Sequence, residues 1–407
     1  MPSKFKEIKR RDDELRRQAM ESMTRRRIYL DYNATAPLLP AARQAMLDAL
    51  DAANPSSVHA EGRASRQIID QARRNVAALF DAKPEHVVFT SGATEAANML
   101  LTPNWQMGRS PVRYSRAYVS AADHPCVLSG GQFASDAVQQ IAVRPDGVLD
   151  LDALRAALAA HDASAGLPLV MLHNANNETG VLQPVEDIAS IVRAAGGLII
   201  YDAVQAAGRI PLDISAGYAD FFIVSSHKIG GPKGAGAIIG ASDLLMPRPL
   251  IKGGGQEKSH RAGTENIPGI AGFGAAAREA LAQLDGIEAI KNKRVRIEAL
   301  IHQHAPGATI YGEGAGRLPN TVFFSMPGVK AETAQIAFDL AGVALSAGSA
   351  CSSGKVGPSH VLKAMGHADQ AGALRISIGS GTTDNDIEFF GTALEKFVSG
   401  RRRASAA

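Results

Sequence analysis

Short apolar runs alternate with amphipathic stretches through the middle of the chain. Residues 86–90 (HVVFT), 169–173 (LVMLH), 198–202 (LIIYD) and 220–225 (DFFIVS) are rich in Val, Ile and Phe and read as strands. Apolar positions at helical spacing follow at 93–101 and 185–195. Strands that are apolar on both sides and separated by helices predict a mostly parallel sheet covered on both faces, an α/β fold. Near Gly269 the pattern lengthens into helix through about residue 305, then gives strand-like runs at 321–325 and 374–378 with helices between and after. The predicted organisation is a large unit over 28–280 and a smaller α+β unit over 281–400, with the first residues of the large unit free to join the small one. Residues 1–27 read as a solvated leader, with Met23 an alternative start, and 401–407 as a loose tail.

Composition changes this picture little. The 407 residues are 45% hydrophobic and 20% charged, as in an ordinary globular enzyme. The net charge is +3, but residues 1–27 hold ten Lys/Arg against five Asp/Glu, so the remainder carries −2. The basic balance therefore belongs to the leader, and no nucleic-acid partner is expected. Cys126 and Cys351 are the two cysteines, which excludes a disulfide framework and points to a reducing, cytoplasmic setting. No apolar run approaches a membrane span, and no CxxC or HxxxH pair supports a resident metal.

The chemistry gathers at strand ends. Lys228 follows DFFIVS within Ser-Ser-His-Lys and precedes a Gly-rich turn, a position suited to a Schiff-base lysine or to an ordinary surface lysine. Asp202 ends LIIYD, where a carboxylate faces the ligand crevice of a parallel sheet or caps the next helix. Ser91-Gly92-Ala93-Thr94-Glu95 opens a helix, and either cradles a phosphate or forms a capping box. His124, Asn177 and Gln205 lie after other strand ends; His124 suits stacking or proton shuttling, and the two amides suit a ring hydroxyl. Cys351 sits in Ser-Ala-Gly-Ser-Ala-Cys-Ser-Ser-Gly, too small and polar for packed core, so it reads as an exposed nucleophile. Cys126, in the semi-apolar PCVL, reads as an inert buried residue. Arg375 stands amid an apolar strand-like run, either to bind a carboxylate or to point outward from a half-exposed face.

In this order and spacing the segments DYNATAP, NPSSVHAEGR, TSGATEAAN, HNANNETGV, YDAVQAAG, SSHKIGGPKG, RAGTEN and SAGSACSSG resemble the cysteine desulfurases. These belong to the class V aminotransferase branch of the fold-type I pyridoxal-phosphate enzymes. The resemblance runs from Tyr29 to about the last helix and favours the group with a mobile cysteine loop. Ser226 departs from it, standing where many relatives have Gly.

The resemblance implies a fold-type I architecture with a seven-stranded-type, mostly parallel sheet. It also implies pyridoxal 5′-phosphate bound covalently to Lys228. Asp202 would pair with the ring nitrogen, and His124 would stack on the ring and assist protonation. Asn177 and Gln205 would bond the ring oxygen. Ala93, Thr94, Ser225 and His227 would hold the phosphate, and Thr264 would reach the phosphate of a partner subunit in a homodimer. Asn33 and Arg375 would bind the carboxylate of L-cysteine, and Cys351 would take the sulfur as a persulfide. That sulfur would pass to an acceptor such as an iron–sulfur scaffold, and Cys351 is the one residue that would transiently ligate a cluster. The rival readings are another lyase on the same scaffold, such as a selenocysteine lyase, and a non-catalytic sulfur- or metal-binding scaffold.

Overall fold

In the computed structural model, residues 26–348, 359–367 and 372–406 are described, without the side chains of 402–406. The chain enters through a two-residue strand, β1 (Ile28–Tyr29). The main sheet is built from β2 (Val87–Thr90), β3 (Asn104–Met107), β4 (Ser110–Ser120), β5 (Val138–Ile141), β6 (Leu167–His173), β7 (Leu198–Asp202), β8 (Phe221–Ser225), β9 (Gly236–Gly240) and β10 (Leu245–Pro247). Its order is β10-β3-β4-β6-β7-β8-β9-β2, with β5 also on β4. The β5–β4, β4–β6, β6–β7 and β7–β8 pairs are parallel. Strand β9 runs against both of its neighbours, and β3 and β10 add an antiparallel extension. The α/β architecture is thus as predicted, with a seven-strand, mostly parallel set reversed at β9 and widened by β3 and β10.

Alternation along the central strands divides the core. Val170, Leu172, Ile199, Tyr201 and Phe222 belong to one buried apolar cluster, and Leu169, Met171, Leu198, Ile200 and Phe221 to another. Successive side chains in a strand point to opposite faces, so both faces of the sheet are covered. Helix Ile267–Gln283 packs on helices Pro40–Asp48 and Ala60–Ala78.

The C-terminal part forms β11 (Thr309–Ile310), β12 (Thr321–Ser325), β13 (Val343–Ala344), β14 (Ser346–Ala347) and β15 (Leu374–Ser377). Strands β11-β12-β15-β14 make a four-stranded antiparallel sheet with its own apolar cluster, which takes in Ile28 and Leu30. Strand β1 pairs with β13, so the residues just before Asp31 lie against the smaller sheet.

The boundaries differ from the sequence reading for local reasons. Pro84–His86 forms a 3₁₀ turn, so the HVVFT strand starts at Val87. Asp220 stays outside β8, its carboxylate accepting the Ile199 N–H at 2.8 Å. The long helical stretch breaks at Leu284–Gly286 into Ile267–Gln283 and Ile287–His304.

Candidate active site

A cavity of about 700 Å³ opens at the carboxyl ends of β6, β7 and β8. Asn177, Asp202, Gln205, Ser225, His227 and Lys228 line it together with Ala93, Thr94 and His124. The crevice beyond the strand ends is where an open α/β sheet binds its ligand.

One end suits an anion. Helix Ala93–Leu100 starts at Gly92 with no side-chain cap, which leaves its first N–H groups for the cavity. The Ser91 N–H donates instead to Glu95 Oε2 at 2.8 Å, and Arg261 holds Glu95 Oε1 at 2.9 Å. Ser225 and His227 flank the same end, and His227 Nδ1 lies 3.1 Å from Thr35 Oγ1. Burial, with Lys228 and Lys233 nearby, lowers His227 to about 4, so it is neutral at pH 7. Reversed strand β9 brings Gly236 against this turn; a Cβ at Gly236 would lie 2.6 Å from the Gly92 Cα. Only glycine permits that approach.

The other end suits a cationic ring nitrogen. Asp202 is buried, and its Oδ1 accepts the Val204 N–H at 2.9 Å. Burial pushes its carboxyl up to about 6, with Asp123 adding and Val204, His173 and Lys228 opposing. A buried carboxyl thus lines the cavity, with His173 and Lys228 as its basic neighbours, a setting that suits a cationic ring nitrogen. This donor set fits pyridoxal phosphate: an amine, a carboxylate at the far end, and an uncapped helix start with small polar neighbours.

Between the two ends, Lys228 Nζ donates to the Asn33 carbonyl at 2.5 Å and to that of Ala34 at 2.9 Å. Gln205 donates from Nε2 to the Asn33 carbonyl at 3.1 Å, and its Oε1 accepts from Arg209. Asn33 and Arg375 sit behind the cavity wall. The Asn33 amide donates to Thr321 Oγ1 at 2.9 Å and to the Asn177 carbonyl at 3.3 Å. Arg375 is 1% exposed, donates to the same carbonyl at 2.8 Å, and pairs with Asp31 at 2.8 Å. The outward-facing alternative for Arg375 is therefore excluded, and its guanidinium is held by Asp31 and Asn177 beside the site.

Two expected residues are not gathered in. Thr264 is exposed and away from its own chain's cavity. Cys351 lies outside the described residues; the described positions flanking it are Gly348, after β14, and Ser359, at the cap of helix His360–Ala364.

Three residues in or beside the site were not assigned to it from sequence. Cys126 is not an inert core residue: it lines the cavity, with Sγ 3.1 Å from His124 Nδ1. Its signal was the spacing His-Pro-Cys: a proline at the first helical position makes His124 the cap, and a cap side chain accepts from the N–H of the second helical residue, here Cys126. His173 also lines the cavity, bound through Nδ1 to Asp123 at 2.5 Å, and like Asp202 it ends a central strand. Glu178 is buried next to Asn177, accepts from the Ser359 hydroxyl at 2.5 Å, and is pushed up to about 7 by burial.

The aminotransferase class-V family profile matches residues 28–390. A cysteine desulfurase of Frankia sp. (strain EuIK1) is 41% identical over 381 residues, covering 88% of each chain. One of Cereibacter sphaeroides is 39% identical over 388 residues, covering 93% of this chain and 97% of its own. Among solved structures, a NifS-like protein from Rickettsia africae superposes with a TM-score of 0.81 at 32% identity, covering 92% of this chain and 99% of its own.

Proposed function

Since the chain belongs to the cysteine desulfurases of the aminotransferase class-V family, we propose that it removes sulfur from L-cysteine to leave L-alanine, with Cys351 as the sulfur carrier. The observation that carries this reading is the convergence of Lys228, Asp202, His124 and the Thr94 helix start on one cavity. Pyridoxal phosphate, when bound, supplies an electron sink that makes the substrate's Cα proton removable and its C–S bond weak.

The residues divide that work. The helix start at Ala93, Thr94 and the Ser225–His227 turn would hold the phosphate, and Asp202 would keep the ring nitrogen protonated. Lys228 would hold the cofactor, and its amine is the base placed to take the substrate's Cα proton. Asn33 and Arg375 would orient the substrate carboxylate, and Asn177 and Gln205 would hold the ring oxygen. The Cys351 thiolate attacks the substrate sulfur: an S–S bond forms, the C–S bond breaks, and its electron pair stays with the three-carbon fragment, which leaves as alanine after protonation.

Exposed Thr264 supports a homodimer in which it reaches the partner's phosphate site. The acceptor of the persulfide is then a second protein, and an iron–sulfur scaffold fits best, since one relative, from Dictyoglomus turgidum, is named cysteine desulfurase IscS. A solved relative bound to cysteine, 26% identical with a TM-score of 0.68, supports L-cysteine as substrate. Among the described residues no helix is long and apolar enough to cross a membrane. The cytoplasmic location rests on the two-cysteine composition, which suits a reducing compartment.

The test is mass spectrometry of the loaded enzyme after incubation with cysteine. Wild type is expected to gain one sulfur atom on the peptide holding Cys351, while Cys351→Ala keeps its yellow colour and releases alanine no faster than background. Full turnover by Cys351→Ala would remove Cys351 from the mechanism.

A further inference from the structure

Asp123-His124-Pro125-Cys126 puts a second sulfur in the wall of the cavity, one that the proposed reaction does not use. His124 is extended (φ −62°, ψ 146°), and Pro125 starts a four-residue helix. That geometry brings two groups of Cys126 onto one imidazole nitrogen: its N–H lies 3.3 Å from His124 Nδ1 and its Sγ 3.1 Å.

We propose that Cys126 is a positioning residue that locks His124 in the neutral tautomer with Nδ1 bare and the proton on Nε2. An amide N–H can only donate, so Nδ1 must present a lone pair to it. The thiol adds to this, because burial, with Asp202 and Asp123 nearby, holds it well above the usual thiol range and therefore protonated. Thr94, at the start of helix Ala93–Leu100, lines the cavity beside the same sulfur.

The consequence is a direction for His124. With Nδ1 occupied, the group left for the cavity is an N–H donor. A second proton is opposed by burial and by Lys228 and His360, against a smaller pull from Asp123, which holds the ring near 4. His124 then offers a hydrogen bond and does not serve as a base, and removal of the substrate's Cα proton is left to Lys228. This purpose rests on the desulfurase reading, whereas the tautomer rests on the contacts alone.

The test uses the cofactor-free full chain labelled with ¹⁵N-histidine, with the His124 signals assigned by their loss in His124→Gln. Wild type is expected to show unprotonated Nδ1 and protonated Nε2 from about pH 6 to 8. Cys126→Ser, which keeps a donor, should match it. Cys126→Val and Cys126→Ala, which keep only the backbone N–H, should shift the tautomer ratio about threefold toward Nδ1–H, somewhat under the effect of one ordinary hydrogen bond. A protonated Nδ1 in wild type overturns the proposal, and so does an unchanged ratio in Cys126→Val and Cys126→Ala. Should the tautomer be as stated while cysteine is not desulfurated, the functional reading fails and this one stands.

Discussion

Replacing Asp202 by asparagine should make the cofactor-free protein more stable and the loaded enzyme far less active. Asp202 is buried at the end of β7, and burial lifts its carboxyl from an ordinary 3.8 to about 6. At ~1.4 kcal/mol per tenfold change, that rise places about 3 kcal/mol of destabilisation on ionised Asp202 in the folded apoenzyme. The sign follows from which chain ionises first. Below about pH 4 the carboxyl is protonated whether folded or unfolded, and there is no penalty. As pH rises the unfolded chain loses its proton first, so the penalty grows and is complete above about pH 6. The amide of Asp202→Asn has no charge to bury. Its stability advantage over wild type should therefore roughly double between about pH 5 and 8, read as the difference in urea denaturation midpoints of the two apoenzymes. In the loaded enzyme the sign reverses. A carboxylate opposite the ring nitrogen is then paired, and its loss should lower kcat about a hundredfold, as expected for about 3 kcal/mol. A stability difference that stays flat with pH, or a variant less stable than wild type at pH 8, would refute the electrostatic account of this site.

Lys228→Ala should lose the cofactor's visible absorbance on dialysis, and absorbance that survives dialysis excludes Lys228 as the attachment point. Arg375→Lys keeps the charge but not the planar fork that spans Asp31 and the Asn177 carbonyl, so KM for cysteine should rise about tenfold with a smaller change in kcat. An unchanged KM would remove Arg375 from carboxylate binding. Glu257, buried, accepts both Arg73 guanidinium nitrogens at 2.7 and 2.8 Å and the Phe89 N–H at 2.8 Å. Glu257→Ala strands a guanidinium and should cost about 3 kcal/mol in thermal or urea unfolding, and a cost under about 1 kcal/mol would mean that water replaces it.

Much of the scaffold is legible in the sequence because burial on both faces leaves a plain mark. LIIYD and the run at 321–325 coincide with β7 and β12, since every residue in them is buried. Strands β3 and β10 escaped because NWQM and LMP are four and three residues long, too short for alternation or apolar continuity to stand out, and their pairing comes from tertiary contact. The ends of strands are equally legible, which is why Asp202 and Lys228 stand out. Cys126 does not: in PCVL it looks apolar, and only the turn at Pro125 aims its sulfur at His124. Arg375 was ambiguous for the opposite reason. A charged residue in an apolar run signals either a face or a site, and near-total burial is what decides it.

The contact between Gly236 and Gly92 has a consequence for how the scaffold varies. It is backbone against backbone, joining the strand that leaves the lysine turn to the turn that begins the Thr94 helix. On the proposed reading, the span between the Lys228 amine and the helix start that would hold the phosphate is therefore gauged by main chain, not by side chains that sequence change could lengthen or trim. Side chains around the ring can be exchanged while that gauge stays fixed, so chemistry at this cavity is free to diversify only for ligands of one length. A single methyl group at residue 236, touching no ligand atom, would reset it.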